Sequence, residues 1–93
     1  MRHLEDFYVK NILGESKIYY RLKPIIFPEN EFTYLGTEIF TKQGEANIES
    51  HELTYRDILQ MYEDGFYTIE REEFERAQAL VNKEIEEAQP VED

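Results

Sequence analysis

The feature that most constrains the fold is a long segment, residues 68–88, in which apolar side chains recur at helical spacing. Its apolar positions follow the pattern i, i+3, i+7, i+11 and i+14, and they are Phe74, Ala77, Val81, Ile85 and Ala88. Glutamate fills many of the other positions and is, like alanine, a good helix former. The segment therefore predicts one long acidic helix, with Thr68 as its N-cap and Pro90 beyond its end. Its apolar stripe must pack either on the rest of this chain or on a second copy.

The charge of the chain is concentrated in its second half. In all, 21 acidic and 10 basic residues give a formal net charge of -11. Residues 1–42 contain six acids and six bases, whereas residues 43–93 contain 15 acids and four bases. Contacts of Lys and Arg with phosphates supply most of the affinity of proteins for nucleic acids. We therefore expect no direct binding to nucleic acid or to an anionic membrane, and we expect attraction to basic protein surfaces.

Length and composition indicate one small soluble domain, residues 1–93. Apolar residues make up 41% of the chain, which is typical of a folded protein rather than a disordered one. The absence of cysteine excludes disulfides and thiolate metal sites and is typical of a reducing compartment. Charged residues interrupt the apolar pattern near the N-terminus, and no apolar run reaches the length of a membrane span. We expect a cytoplasmic protein.

The start of the chain predicts a helix and then a strand. Apolar residues at positions 4, 7, 8 and 12 share one helical face, which predicts a helix over residues 3–13. Gly14 suits the position that follows such a helix. Side chains alternate in character over residues 16–23, which predicts a half-buried strand that ends at Pro24.

The middle of the chain predicts two further strands. Residues 25–27 lie between two prolines and are expected to be extended, at a sheet edge or under a loop. Residues 32–41 are rich in aromatic and β-branched side chains and predict a strand that is bulged or broken at Gly36, or two short strands. Residues 46–53 predict a third strand from a weaker alternation.

A second helix is predicted to begin at the capping residue Thr54. Asp57 stands where a carboxylate can complete a capping box, and Leu53 and Ile58 stand where a hydrophobic staple forms. Gly65 is expected to end this helix. The side chains expected on its buried stripe are Tyr55, Ile58, Leu59 and Tyr62.

The order of these elements predicts an α+β fold. We expect a small antiparallel sheet of about three strands with an N-terminal helix and two C-terminal helices, the last long and acidic. All the helices are expected on one side of that sheet.

Catalytic chemistry is poorly supported by the sequence. There is no cysteine, neither Ser16 nor Ser50 lies in a nucleophile-elbow pattern, and the two histidines are His3 and His51. The four glycines form no phosphate-binding pattern. We therefore expect a protein that is not an enzyme and that has no cofactor.

A metal site is the nearest chemical alternative. Glu49 and His51 would face the same side of a strand, with Glu52 close in sequence and Glu45 in reach. Their spacing matches neither a zinc signature nor a calcium loop. A solvated polar strand face is the favoured interpretation, so no metal is expected.

The acidic surface itself offers a function. Carboxylates at i, i+3 and i+4 on a helix have Cβ atoms about 5–6 Å apart, and phosphates along one DNA strand advance about 3.4 Å each. A row of glutamates can therefore present negative charge at a density comparable to a nucleic-acid backbone. The alternative is a solvated face that only aids solubility. The seven tyrosines add side chains of a type enriched at interfaces.

The whole chain resembles the small acidic anti-restriction proteins of phages, the DNA mimics of the Arn family of T-even phages. The resemblance rests on size, charge, tyrosine content and the acidic segments EREEFER, residues 70–76, and KEIEEA, residues 83–88. It implies an inhibitor of a modification-dependent restriction endonuclease of the McrBC type, or a ligand of nucleoid proteins of the H-NS type. It also implies a homodimer and, for a phage protein, the cytoplasm of the host cell.

Two non-enzymatic hypotheses follow. In the first, the chain is a DNA mimic that binds a basic DNA-binding protein of the host through Glu49, Glu52, Asp57, Glu63, Asp64, Glu70, Glu72, Glu75, Glu84, Glu86 and Glu87. In the second, it is a protein-interaction module or transcription regulator that meets its partner through the apolar stripe of the last helix. An enzyme would require His51 and Glu49 to be essential for activity.

Overall fold

The computed structural model describes residues 5–26, 32–42 and 45–88, and within them the chain forms five strands and two helices. All strand pairs are antiparallel, and the strand order is β4-β3-β2-β1-β5. The elements in chain order are β1 (Phe7–Leu13), β2 (Ser16–Ile26), β3 (Phe32–Lys42), β4 (Glu45–Thr54), α1 (Tyr55–Glu63), β5 (Tyr67–Ile69) and α2 (Arg71–Ala88).

The two helices pack on opposite faces of the sheet. Successive side chains of a strand point to opposite faces, and paired residues of neighbouring strands share a face. Helix α2 packs on Tyr8, Tyr19 and Ile39, on what we call the α2 face. Helix α1 packs through Ile58 on Val9 and Leu22, on what we call the α1 face. The expected fold, with about three strands and every helix on one side, is therefore wrong.

The predicted N-terminal helix is also wrong, because this segment is strand β1. Strand β1 lies between β2 and β5 and contributes to both faces, with Tyr8 buried on one and Val9 on the other. A strand buried on both faces lacks clean alternation, so its apolar spacing can imitate that of a helix. Gly14 has a φ of +62° and lies in the short loop between the paired Leu13 and Ser16, rather than after a helix.

The strands predicted in the middle of the chain are present and longer than expected. Strand β2 continues through Pro24, which pairs with Tyr34 of β3. Proline is tolerated there because β1 begins only opposite Leu22, so one side of β2 is an edge at Pro24. The ladder runs without a bulge through Gly36, which pairs with Leu22 and His51, so the expected break is wrong.

Helix α1 begins and ends as predicted. The backbone N–H of Asp57 donates to Thr54 Oγ1 at 3.3 Å, and the N–H of Thr54 donates to Asp57 Oδ2 at 2.9 Å. Gly65, with a φ of +109°, lies just beyond the C-cap residue Asp64. On the α1 face of β1, the buried Asn11 side chain donates to the Asp64 carbonyl at 3.2 Å and holds this end.

The predicted buried stripe of α1 is only partly correct. Ile58 is buried, whereas Tyr55, Leu59 and Tyr62 are 58%, 47% and 41% exposed. The helix therefore contacts the sheet through a narrow line of side chains.

Helix α2 begins later than predicted. Thr68 is not its N-cap but a residue of β5, paired with Val9. Its first turn is closed instead by the carbonyl of Glu70, which accepts from the N–H groups of Glu73 and Phe74.

The apolar stripe of α2 packs on the chain's own sheet. Phe74 and Val81 are each 1% exposed, Ala77 is 8% exposed, and Ile85 packs against the same cluster. The Phe74 ring meets the Tyr8 ring edge to face, with ring centroids 5.3 Å apart. The side chain of Ala88 and the whole of Pro90 lie outside the described part of the chain. In the described part of the chain, neither helix is both long and apolar enough to cross a membrane.

Candidate functional site

The outward side of α2 is the acidic surface that the sequence predicts. Because the apolar stripe faces the sheet, the glutamates on the other sides of the helix are exposed to solvent. The exposed glutamates are Glu70, just before the helix, and Glu72, Glu75, Glu84 and Glu86 within it. Basic residues interrupt them. Arg71 Nε donates to Glu75 Oε1 at 2.7 Å, and Arg76 and Lys83 are also exposed. The glutamates therefore form two groups, one towards each end of the helix.

Most of the other predicted contact residues lie on β4 or at α1 and not on α2. Glu52 lies on the α2 face of β4, whereas Glu49 lies on the α1 face of the same strand. Glu63 and Asp64 lie at the end of α1. The side chain of Glu87 lies outside the described residues. The predicted residues whose side chains are described are thus divided between both sides of the sheet, so they do not form one continuous patch.

Two of the predicted acids have local structural roles in α1. Asp57 completes the capping box at its start. At its end, Gln60 Nε2 donates to Asp64 Oδ1 at 3.0 Å. Both carboxylates are therefore held by hydrogen bonds within their own helix.

Basic residues of the α2 face bind acidic partners within the chain. Lys10 Nζ lies 2.9 Å from Glu73 Oε2 and 5.0 Å from the centre of the Tyr19 ring. The hydrogen bond to Glu73 raises the pKa of Lys10, although burial opposes the shift. Arg21 Nε lies 2.9 Å from Asp6 Oδ2. One basic residue of β1 and one of β2 are thus neutralised by acidic side chains of the same chain.

A second polar cluster lies on the α1 face, where β3 and β4 run side by side. His51 Nε2 is 2.7 Å from Glu38 Oε2 and 3.4 Å from Glu49 Oε2. One ligand atom from each of the three residues lies within 4.8 Å of the other two. The cluster therefore offers one imidazole nitrogen and two carboxylate oxygens to a common point.

The strand register brings this cluster together. Glu38 pairs directly with both Tyr20 and Glu49, and His51 pairs with Gly36 one step along the same face. A Cβ atom at Gly36 would lie 2.9 Å from Leu53 Cδ1 and 3.3 Å from Tyr20 Cδ1. Because glycine has no Cβ atom, the Tyr20 ring can lie over Gly36, beside the cluster. Burial, together with the nearby carboxylates of Glu38 and Glu49, raises the pKa of Tyr20, so its hydroxyl stays protonated.

Sequence reasoning found two of the three residues of this cluster. The expectation that Glu49 and His51 share a face is confirmed, whereas Glu52 points to the other face. Glu38 was missed because it comes from the preceding strand. The available signal was the turn between Lys42 and Glu45: those two residues pair, and the register that follows places Glu38 opposite Glu49.

A cavity of about 670 Å³ opens where α2 begins. Its lining mixes acids and arginines, including Asp6, Arg21, Glu70 and Arg71. Both arginines already contact acidic side chains of the chain, Arg21 through Asp6 and Arg71 through Glu75. The cavity therefore presents no evident site for an anionic ligand.

Comparison with known proteins identifies no relative: no protein-family model, no curated protein and no solved structure matches the chain. The resemblance to phage anti-restriction proteins therefore stays a prediction.

Proposed function

We propose that this chain is a non-enzymatic DNA mimic, which binds a basic DNA-binding protein through the outward, acidic side of α2. The observation that supports this is the burial of the apolar stripe. Phe74, Ala77 and Val81 are all buried against the sheet, so the charged side of α2 is what remains for a partner. The resemblance described above suggests a restriction endonuclease of the McrBC type or a nucleoid protein of the H-NS type as that partner.

The dimensions of α2 suit such a contact. Its 18 residues span about 27 Å at 1.5 Å per residue. Glu72 and Glu86 are separated by about 21 Å along the axis, which corresponds to about six phosphate steps of one DNA strand. The two groups of glutamates can therefore meet two separate basic groups on a surface shaped for DNA.

The rival interpretation, a module that binds through the apolar stripe, is less well supported. A partner could reach Phe74 and Val81 only if α2 left the sheet, and burial of large apolar side chains opposes this by about 1.5–3 kcal/mol each. The same burial removes the stripe as a contact between copies of the chain. A homodimer would have to use another surface.

The proposal is tested with a matched pair of charge reversals. Glu72→Lys with Glu86→Lys changes the outward side of α2, whereas Glu45→Lys with Glu63→Lys makes the same change in net charge elsewhere. Each variant, and the unchanged chain, is immobilised and exposed to purified DNA-binding proteins of the two types named above. Circular dichroism establishes that every variant is folded.

We expect binding by the unchanged chain and by the second variant, and loss of binding by the first. Bound protein should dissociate when the salt concentration rises from about 50 mM to about 300 mM, because the screening length shortens. Duplex DNA should compete for the same protein. Equal loss in both variants would mean that net charge alone drives binding, and binding that resists salt and DNA would contradict mimicry.

A further inference from the structure

We propose that Glu38, Glu49 and His51 form a binding site for a divalent transition-metal ion of the Zn²⁺ type. The site lies on the α1 face of β3 and β4, across the sheet from α2. It is therefore independent of the proposed contact with a DNA-binding protein, and either proposal can fail without the other.

The three side chains converge as metal ligands do. Zn²⁺ is bound at about 2.0–2.2 Å by histidine nitrogen and carboxylate oxygen, so tetrahedral ligand atoms lie about 3.4 Å apart. His51 Nε2 and Glu49 Oε2 are already 3.4 Å apart, and no pair of the ligand atoms exceeds 4.8 Å. Glu38 Oε2, at 2.7 Å from His51 Nε2, needs only a small outward rotation to admit an ion between them.

The charges of the cluster favour a bound cation. Glu38 and Glu49 face each other directly across two paired strands, an arrangement of like charges that destabilises a sheet. The two carboxylates therefore repel each other across the paired strands. A divalent ion held between the carboxylates removes this repulsion and uses the imidazole nitrogen as a third ligand.

The surroundings give the site rigidity and an open side. All three ligands come from paired strands rather than from loops, and such elements hold ligands most precisely. The Tyr20 ring lies against one side, with its centroid 6.3 Å from that of His51. The side chains of Glu49 and His51 are 54% and 38% exposed, so water can complete the coordination from the solvent side.

The ligand set also indicates which metal fits. One imidazole and two carboxylates form a borderline set that suits Zn²⁺ and Co²⁺. Ca²⁺ takes six to eight oxygen ligands and Mg²⁺ seldom uses protein cages. We therefore expect discrimination between these two classes of ion.

The test is calorimetric titration of the tag-free full chain with ZnCl₂ and, separately, with MgCl₂. The ligand variants are Glu38→Gln, Glu49→Gln and His51→Gln. Two matched controls remove a carboxylate elsewhere on the same strand: Glu52→Gln on the opposite face, and Glu45→Gln on the same face but at the far end. CoCl₂ provides a second readout, because tetrahedral Co²⁺ absorbs visible light strongly.

We expect one Zn²⁺ per chain, binding at least about tenfold weaker in each ligand variant, and unchanged binding in both controls. Mg²⁺ should give no measurable heat. Absence of Zn²⁺ binding by the unchanged chain would overturn the proposal. So would a loss in Glu52→Gln or Glu45→Gln equal to that in the ligand variants, since binding would then reflect acidity in general.

Discussion

Gly36 lies at the centre of β3, where side chains from both neighbouring strands close over it. A Cβ atom there would come within 2.9 Å of Leu53 and 3.3 Å of Tyr20. We predict that Gly36→Val lowers the free energy of unfolding by about 1–3 kcal/mol, the usual range for overpacking. Urea denaturation at neutral pH measures the change.

The control for this prediction is Ser50→Val, at an exposed position of β4. It introduces the same β-branched side chain and should leave the unfolding midpoint unchanged or slightly higher. If Gly36→Val behaved like Ser50→Val, Leu53 and Tyr20 would have room to move, and glycine would not be required here.

The Lys10–Glu73 pair predicts a dependence of stability on pH. Its hydrogen bond raises the pKa of Lys10 above the ordinary value of 10.5. A raised pKa in the folded state means that the stabilisation is complete below the unfolded pKa and is lost as pH rises through the folded one. We therefore predict that the unfolding free energies of the unchanged chain and of Lys10→Met differ by a constant amount from pH 7 to about 9.5 and converge above about 10.5.

Urea denaturation of both proteins at pH 8 and pH 11 checks this prediction. Taking the difference removes the titration of the groups that do not contact Lys10, because both chains share them. A difference that stays the same at the two pH values would show that Lys10 stabilises the fold through its packing on Tyr19 and not through its charge.

At the level of elements, α2 stabilises the fold through the side that packs on the sheet. Phe74 is 1% exposed and Leu80, on the same helix, is 64% exposed. We predict that Phe74→Ala lowers the free energy of unfolding by about 3–5 kcal/mol, whereas Leu80→Ala changes it by less than about 0.5 kcal/mol. Thermal and urea denaturation of the two variants give the comparison. Similar losses in both would mean that Leu80 is also covered, for example by a second copy of the chain.

The elements that the sequence predicts well are those specified by local signals. Helix α1 has its capping box between Thr54 and Asp57 and its terminating Gly65, all within a few residues of chain. The apolar stripe of α2 is equally local. Strand β1 could not be recognised in this way, because its two faces are buried by helices α2 and α1, which come from distant parts of the sequence.

The same distinction between local and long-range signals applies to the residues of the candidate sites. The outward position of Glu72 and Glu86 follows from the stripe of their own helix, so the sequence predicts it. The shared face of Glu49 and His51 follows from strand alternation. The approach of Glu38 depends on the register between two strands, and the separation of Glu49 from the α2 surface depends on which face each helix covers. Neither follows from the residue pattern within a single helix or strand.

At the scale of the whole molecule, the sheet separates two surfaces with different potential roles. On one side, α2 presents glutamates to solvent. On the other, α1 leaves part of the sheet uncovered, and there Glu38, Glu49 and His51 meet. A divalent metal ion on the second surface would make the net charge less negative by two while leaving the outward side of α2 unaltered. The two proposed functions could therefore be present together.

The net charge of -11 itself opposes folding, because the compact state brings like charges together. We predict that the free energy of unfolding rises when NaCl increases from about 10 mM to about 0.5 M, as the screening length falls from about 30 Å to a few ångströms. The double variant Glu84→Gln with Glu86→Gln should show part of this gain already at low salt, and a weaker response to added salt. Lys83→Gln removes a positive charge from the same part of α2. It should therefore lower the free energy of unfolding at low salt and strengthen the response to added salt. Urea denaturation at the two salt concentrations measures all three. A stability that falls with salt in the unchanged chain would mean that specific ion pairs such as Lys10–Glu73 outweigh the general repulsion, and that the acidic surface carries no electrostatic strain for a basic partner to relieve.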